Sequence, residues 1–361
     1  MERWFAVATP GLEPVVAREL SAYGISGEVT TGGVSFSADL EAGAELTTLL
    51  RSPARLLLRV AGSPVRSLQE LARLVRAVGW RSFIPAGAEI DVVVSSRRSR
   101  LSRRDIVEKK VHTALKDALR GHRRKRNTAP PRMTQRLLVR LDGDQATLSL
   151  DAGGELLHRR GWRQEQVRAP LRENLAASIL LASGWDGEEA LLDPFCGSGT
   201  IPIEAALMAS ERPPWTHRGF AWEEWPALES VRPPRTRGEP IQAIIVGSDH
   251  DERSIGISQS NAERARIRGI RWTHRDVMDI EPPSSSGLVV ANPPYGQRLG
   301  QRIRGVYVRF GQSLAERFVG WRAAFLSPND RLARAVHPTA ARLTTFSNGG
   351  LRVGLFIIEQ V

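Results

Sequence analysis

Short apolar blocks recur along this chain from its first residues, and their spacing shifts several times along its length. Residues 4–8 predict a strand, and Pro10-Gly11 a turn. Leu12, Val15, Val16 and Leu20 then fall at helical spacing, before Gly32-Gly33 opens a second strand through Val34 and Phe36. A strand–helix–strand unit of about fifty residues buries too little surface to stand comfortably alone, so it is expected to pack on the next segment of the chain. Residues 55–60 and 90–94 predict strands on either side of a helix over 68–78.

A helix over residues 103–120 is predicted next, with Ser102 as its N-cap and Asp105 in its first turn. Ile106, Val107, Val111, Ala114, Leu115 and Ala118 form its apolar stripe, and Gly121 ends it. The opposite face is rich in Lys and Arg. Residues 135–141 and 146–150 read as a hairpin about Asp142-Gly143. A connector rich in Arg and Gly covers 153–169. Leu171, Leu175, Ile179 and Leu180 then mark a helix ending near Gly184. Residues 213–240 have little periodicity, six prolines, and Trp215, Phe220, Trp222 and Trp225. They read as a long insertion between a helix and the next strand, with Trp222 and Trp225 expected to anchor it in a core rather than touch a ligand.

Composition narrows the function classes. A chain of 361 residues accommodates two or three domains. One cysteine, Cys196, excludes an internal disulfide framework and a cysteine-rich zinc site. The seven histidines are scattered, so no metal centre is expected. No apolar run approaches eighteen residues, and the first residues lack a signal-peptide layout. A cytoplasmic protein is expected. The net charge of +12 points to a polyanionic partner, and its distribution sharpens this. Residues 97–126 hold 13 Lys/Arg against 3 acids, a net of +10. Charge this concentrated predicts a nucleic-acid footprint, with Arg97, Arg98, Arg103, Arg104, Lys109 and Lys110 as its candidate contacts.

Candidate chemistry sits at predicted strand ends. Asp193-Pro194-Phe195-Cys196-Gly197-Ser198-Gly199-Thr200 joins a short apolar strand to a helix, and its glycines let the backbone approach a ligand. No Gly-Lys-Ser/Thr element is present, and a carboxylate at Asp193 suits a cationic ligand rather than a pyrophosphate. A strand over 241–246 leads to Gly247-Ser248-Asp249-His250-Asp251, where Asp249 is placed to accept the two hydroxyl protons of a ribose and Asp251 to cap a helix. Asp276 follows the strand-like residues 270–272 and is placed to accept from an adenine amino group, with Val277 and His250 bracketing the ring. After residues 286–291, a further strand, Asn292-Pro293-Pro294-Tyr295-Gly296 forms a loop whose prolines fix the backbone. Such a loop holds a planar amine between two acceptors while the ring stacks on Tyr295.

In this order the motifs resemble the class I S-adenosylmethionine-dependent methyltransferases that act on planar amino groups. The segment Pro170-Leu171-Arg172-Glu173-Asn174-Leu175-Ala176-Ala177 is similar to that family's cofactor-bordering helix, and Phe346-Ser347-Asn348-Gly349-Gly350-Leu351 precedes a last strand. The basic region resembles a THUMP RNA-binding domain, and residues 1–50 its ferredoxin-like partner. The whole chain therefore resembles the THUMP-containing RNA guanine-N2-methyltransferases, especially the bacterial 23S rRNA branch.

The resemblance implies an α/β Rossmann-like methyltransferase domain with a seven-stranded mixed sheet, preceded by an α+β ferredoxin-like/THUMP region. The implied domains are 1–50 (ferredoxin-like), 51–152 (THUMP), 153–169 (linker) and 170–361 (methyltransferase). S-adenosyl-L-methionine is the implied cofactor, surrounded by Asp193, Cys196, Gly197 and Gly199, with Asp249 on the ribose and Asp276 on the adenine. Asn292 and the Pro293 carbonyl hold the target amine, and Tyr295 lies against the base. A monomer acting on 23S rRNA or tRNA, with no metal and no membrane, is expected. The rivals are a DNA adenine-N6 methyltransferase, a protein-glutamine methyltransferase and a non-catalytic RNA-binding assembly factor.

Overall fold

The structure, a computed structural model, describes residues 1–122, 129–165, 171–215, 218–234, 238–295 and 302–361. Two seven-stranded sheets organise them. The first comprises β1 (Glu2–Val7), β2 (Gly27–Thr30), β3 (Gly33–Ala38), β4 (Arg55–Pro64), β5 (Ile90–Arg97), β6 (Gln135–Asp142) and β7 (Gln145–Asp151), in the order β2-β3-β1-β4-β7-β6-β5. The expected small unit does pack on its successor. Trp4 of β1 lies opposite Leu58 of β4, so one ladder runs through both. Helices α1 (Glu13–Ala22), α2 (Leu40–Leu49), α3 (Leu68–Ala77) and α4 (Arg104–Ala118) share one hydrophobic cluster with alternate strand residues such as Trp4, Leu58 and Val139. Strand periodicity of two therefore directs one face to a common core.

Two details differ from the sequence pattern. The cap of α4 is Arg103 rather than Ser102: the amides of Ile106 and Val107 donate to the Arg103 carbonyl, and no side chain caps the turn. Helix α2 has no readable stripe because its inner residues are small. Gly43 lies against the Trp4 indole, where a Cβ would collide.

The second sheet comprises β8 (Leu191–Asp193), β9 (Ile245–Asp249), β10 (Ile270–His274), β11 (Leu288–Ala291), β12 (Arg322–Ser327), β13 (Ala341–Asn348) and β14 (Leu351–Ile358), in the order β10-β9-β8-β11-β12-β14-β13. Neighbours from β10 to β12 run parallel, and β14 is antiparallel to both β12 and β13. The second strand starts later than the apolar run 241–246 suggests, because its ladder to β10 runs from Ile245 to Asp249. Helices α5 (Glu173–Ala182), α6 (Thr200–Ala209) and α7 (Glu252–Arg264) pack with one face, and α8 (Arg302–Arg317) and α9 (Asp330–Val336) with the other. A parallel sheet covered on both faces explains strands that are apolar throughout.

The two sheets meet along a polar seam. Arg160, 1% exposed, pairs with Glu204 of α6 at 3.2 Å and donates to the Arg51 carbonyl at 2.6 Å. The Arg51 amide in turn donates to Glu19 of α1, and Asn174 of α5 to the Ser52 carbonyl. Removing one member of a buried pair such as Arg160–Glu204 costs about 3–5 kcal/mol. The insertion crosses the same seam. Trp225 and Trp222 are fully buried in the cluster of the first sheet, and the Trp225 indole donates to Gln135 at 2.9 Å. Both tryptophans anchor, as expected, and neither offers a ring to solvent. No helix among the described residues is long and apolar enough to cross a membrane.

Candidate active site

Strand order reverses between β8 and β11, and in open α/β sheets ligands bind beyond the carboxyl ends of the strands at that point. The turn after β8 is built for close approach. Gly197 and Gly199 have φ of +54° and +79°, where a side chain is strained. A Cβ on Gly199 would also stand 2.9 Å from the Trp272 ring and 3.0 Å from Ser258 Cβ. The turn is tied to β9 by the Cys196 amide on the Ser248 carbonyl (2.9 Å) and the Gly197 amide on Asp249 Oδ2 (2.9 Å).

Asp193 and Asp249 thus end the adjacent strands β8 and β9, on the side of the sheet where such folds take a ligand. Asp193 is 1% exposed and accepts from the Phe195 amide at 3.0 Å. Burial pushes its carboxyl well above the usual range, the Phe195 amide opposes that, and the nearby Asp249 charge adds to it. The Cys196 thiol turns to Ser258 and is likewise pushed up, first by burial and then by the two aspartates, so it is an inert packing group. Asp249 Oδ1 accepts from the Asp251 amide at 3.0 Å, and Asp251 caps α7 through the Arg253 amide.

The adenine-type positions are less uniform. Asp276 Oδ1 accepts from the Met278 amide (2.9 Å) and from Arg309 of α8 (2.7 Å). Val277 is buried in the core beside α8, whereas the His250 side chain is 76% exposed. The carboxylate is therefore oriented before any ligand arrives, by an arginine that the local sequence did not signal.

Asn292 and Pro293 follow β11 directly. The Asn292 side-chain oxygen is buried and has no hydrogen-bond partner among the described residues, and no described residue donates to the Pro293 carbonyl. A buried acceptor left unpaired costs about 1–3 kcal/mol, so an oxygen in this position is suited to take a donor from a ligand. Tyr295 packs on the core, and its hydroxyl accepts from Asn348 at 2.6 Å. Burial raises its pKa, so the phenol is neutral. Gly296 and residues 297–299 lie outside the described residues, as do Pro170, the linker end 166–169 and the basic residues 123–126.

A further charged pair borders the crevice. Arg163 donates to Glu173 at 3.0 Å and to the Leu171 carbonyl at 2.5 Å, and reaches toward Thr200, the first residue of α6. Burial pushes Glu173 up to about 7 against the opposing Arg163 charge. The motif holding Glu173 was legible, but its ion pair joins residues ten apart across a connector and was not.

The candidate RNA contacts lie elsewhere, on β5 and α4. Arg97, Arg98, Arg103, Arg104 and Lys109 are exposed and Lys110 is half-buried. Arg98 pairs with Asp142 and Arg103 with Asp105, while Arg97, Arg104 and both lysines have no acidic partner among the described residues.

A sheet of this order, with acids and an Asn-Pro-Pro-Tyr loop at its strand ends, defines a class I S-adenosylmethionine-dependent methyltransferase fold. Comparison with known proteins agrees. Residues 160–354 match the RMKL-like methyltransferase domain, 3–57 the RlmL ferredoxin-like domain and 65–151 the THUMP domain. The ribosomal RNA large subunit methyltransferase K/L of Syntrophotalea carbinolica is 36% identical over 99% of this chain and 54% of its own length. The Bacillus subtilis protein YpsC is 31% identical over 99% of this chain and 96% of its own. The crystal structure of SMU.472 in complex with SAH superposes with a TM-score of 0.87 at 28% identity, covering 100% of this chain and 98% of that one. The chain belongs to the RMKL-like methyltransferase family, whose methyl donor is S-adenosylmethionine. It spans about half the length of the K/L relatives it matches.

Proposed function

We propose that the protein transfers a methyl group from S-adenosylmethionine to the exocyclic N2 amine of a guanine in structured RNA. The substrate is 23S rRNA, with an acceptor-stem guanine of tRNA as the alternative. The observation that carries this reading is the buried Asn292 oxygen, unpartnered among the described residues, at the switch point of the sheet. An amine proton is the donor it lacks.

The residues around the crevice fit the cofactor. Two carboxylates, Asp193 and Asp249, suit a cation and hydroxyl donors, and the left-handed glycines Gly197 and Gly199 shape the turn between them. When bound, S-adenosylmethionine supplies an electrophilic methyl group on a sulfonium. Asp193 offers its charge to the cationic end, Asp249 its remaining lone pairs to the ribose, and Asp276 its oriented carboxylate to the adenine.

The target amine is a poor nucleophile because its lone pair is delocalised into the ring. Asn292 Oδ1 and the Pro293 carbonyl accept its two protons and turn the lone pair toward the methyl group. Orientation of this kind supplies up to about 7–11 kcal/mol of a barrier. The same two oxygens would stabilise the positive charge that grows on nitrogen as the methyl group leaves the sulfonium, whose sulfur keeps the bonding pair as a neutral thioether. The methylated amine is acidic enough to release its proton without a strong base. Neutral Tyr295 lies against the flipped base, and residues 51–152, with the ferredoxin-like residues 1–50, grip the RNA backbone through the basic face of β5 and α4.

Incubation with labelled S-adenosylmethionine and total RNA, DNA or protein tests the reading. Label is expected in RNA, and label confined to DNA or protein overturns it. Nucleoside digests of 23S rRNA and tRNA from a deletion strain then decide between the two RNAs.

A further inference from the structure

The loop that presents Asn292 is held by a residue the proposed chemistry does not use. Among the described residues, the bond from Asn348 Nδ2 to the Tyr295 hydroxyl is the one side-chain hydrogen bond made by residues 292–295. Asn348 is 7% exposed and ends β13. Gly349 and Gly350 follow at φ +57° and +82°, so the chain reverses at once, and Leu351 of β14 pairs back to Asn348.

The position of Asn348 is therefore set by a ladder rather than by a loop. Strand β14 pairs with β12 on one side and with β13 on the other. Strand β13 is also fixed at its middle to the first sheet's side of the molecule. Thr344 donates to the Gly11 carbonyl at 2.6 Å, and a Cβ on Gly11 would strike the Thr345 carbonyl. The donor that grips Tyr295 thus stands on a strand held on one side by β14 and at its middle by Gly11.

We propose that Asn348 is a positioning residue for methyl transfer, acting through the Tyr295 hydroxyl to fix the loop that offers Asn292 to the target base. The proposal rests on the amine-clamp reading above. Tyr295 has a ring half-sunk in the core and a hydroxyl held by one donor, so the bond sets both the height and the tilt of the loop over the crevice. A misplacement of about 1 Å at a reacting centre costs on the order of a hundredfold in rate, and a single neutral hydrogen bond holds back part of that. The cofactor side hangs on β8 and β9, two and three strands removed from β12, so loss of Asn348 leaves it intact.

A double-mutant cycle separates this role from general support. Asn348→Leu keeps the size and removes the donor, and Tyr295→Phe removes only the hydroxyl. Each is expected to lower kcat for transfer about tenfold, and the double variant by about tenfold too, with cofactor Kd unchanged throughout. Asn348→Asp is expected to recover most of the rate, because the tyrosine hydroxyl can turn and donate to the carboxylate. Multiplying effects, near-normal transfer by Asn348→Leu, or a parallel loss of cofactor binding overturns the proposal. Should Asn348→Leu fail to fold, full activity in Tyr295→Phe alone overturns it. The cycle is measured on whichever polymer the wild-type protein methylates, so inactivity on RNA would defeat the functional reading while the cycle stays readable.

Discussion

The two sides of the crevice are built in opposite ways. On the cofactor side, the turn after β8 is bonded to β9 at Ser248 and Asp249, Asp276 is held by an amide and by Arg309, and Gly199 is pressed between Trp272 and Ser258. On the target side, among the described residues, the Asn292 oxygen is buried without a partner and one side-chain bond, from Asn348, steadies the loop. On the proposed reading, the cofactor side is preorganised and the target side is completed by its ligand. Such asymmetry suits a transferase in which one substrate is common to every turnover and the other is a base that must be drawn from its stack.

Breaking the target side should leave the cofactor side untouched. Asn292→Ala is expected to lower single-turnover methyl transfer by about 10²–10³, the usual loss for one transition-state hydrogen-bonding group, with cofactor affinity by calorimetry unchanged. Near-normal turnover would mean that the clamp lies elsewhere.

The converse experiment is Asp193→Asn. Loss of a charge-assisted interaction worth about 1.5–3 kcal/mol should weaken cofactor binding by about ten- to a hundredfold. The sign on stability is opposite. The Asp193 carboxyl is raised by burial in the folded protein, so its favourable contribution is complete below the ordinary value of 3.8 and is lost as pH rises through the raised one. The cofactor-free variant should therefore melt higher than wild type at neutral pH. For the same reason, wild-type affinity for a cationic cofactor should rise with pH as Asp193 ionises, and the variant should show a flatter profile.

Gly199→Ala probes the packing beneath the turn. It adds a left-handed residue and a Cβ against Trp272 and Ser258, at a cost of about 1–3 kcal/mol measurable by denaturant unfolding. An unchanged midpoint would show that the turn relaxes freely. The smallest effect is expected far from the crevice. Replacing Lys109 and Lys110 by Glu should weaken RNA binding and flatten its salt dependence by about 0.7–0.9 for each phosphate no longer neutralised, while cofactor affinity holds. Equal weakening of both ligands would refute a separate RNA face.

The placement of the candidate residues at strand ends was legible because each piece is local. An aspartate at a strand end, two glycines before a helix, and Asn-Pro-Pro-Tyr after a buried run are constraints that neighbours alone enforce. The hairpin about Gly143 was legible for the same reason, needing a left-handed glycine, whereas α4 ends at Ala118, three residues before the glycine expected to stop it. Contacts between distant segments were not legible. Trp225 meets Gln135 ninety residues away, Arg309 meets Asp276 across 33, and Asn348 meets Tyr295 across 53, and no periodicity records such a meeting. Strand β2, with an exposed burial pattern, and the helices α8 and α9 were not signalled either. The connector over 153–165 has the composition of a spacer, yet Trp162 and Arg160 are buried in it. A buried arginine is readable only through its partner, Glu204, which lies 44 residues on.

The identity of the methylated nucleoside tests the idea of a ligand-completed target side most directly. RNA labelled by the wild-type protein is digested to nucleosides and resolved by chromatography with mass detection. Label in N2-methylguanosine is the expected result, because two acceptors at the end of β11 match the two protons of that amine. Label in a base methylated on carbon, on a ring nitrogen or on ribose would contradict it, since none of those positions offers the paired donors that the proposed clamp of Asn292 and Pro293 requires.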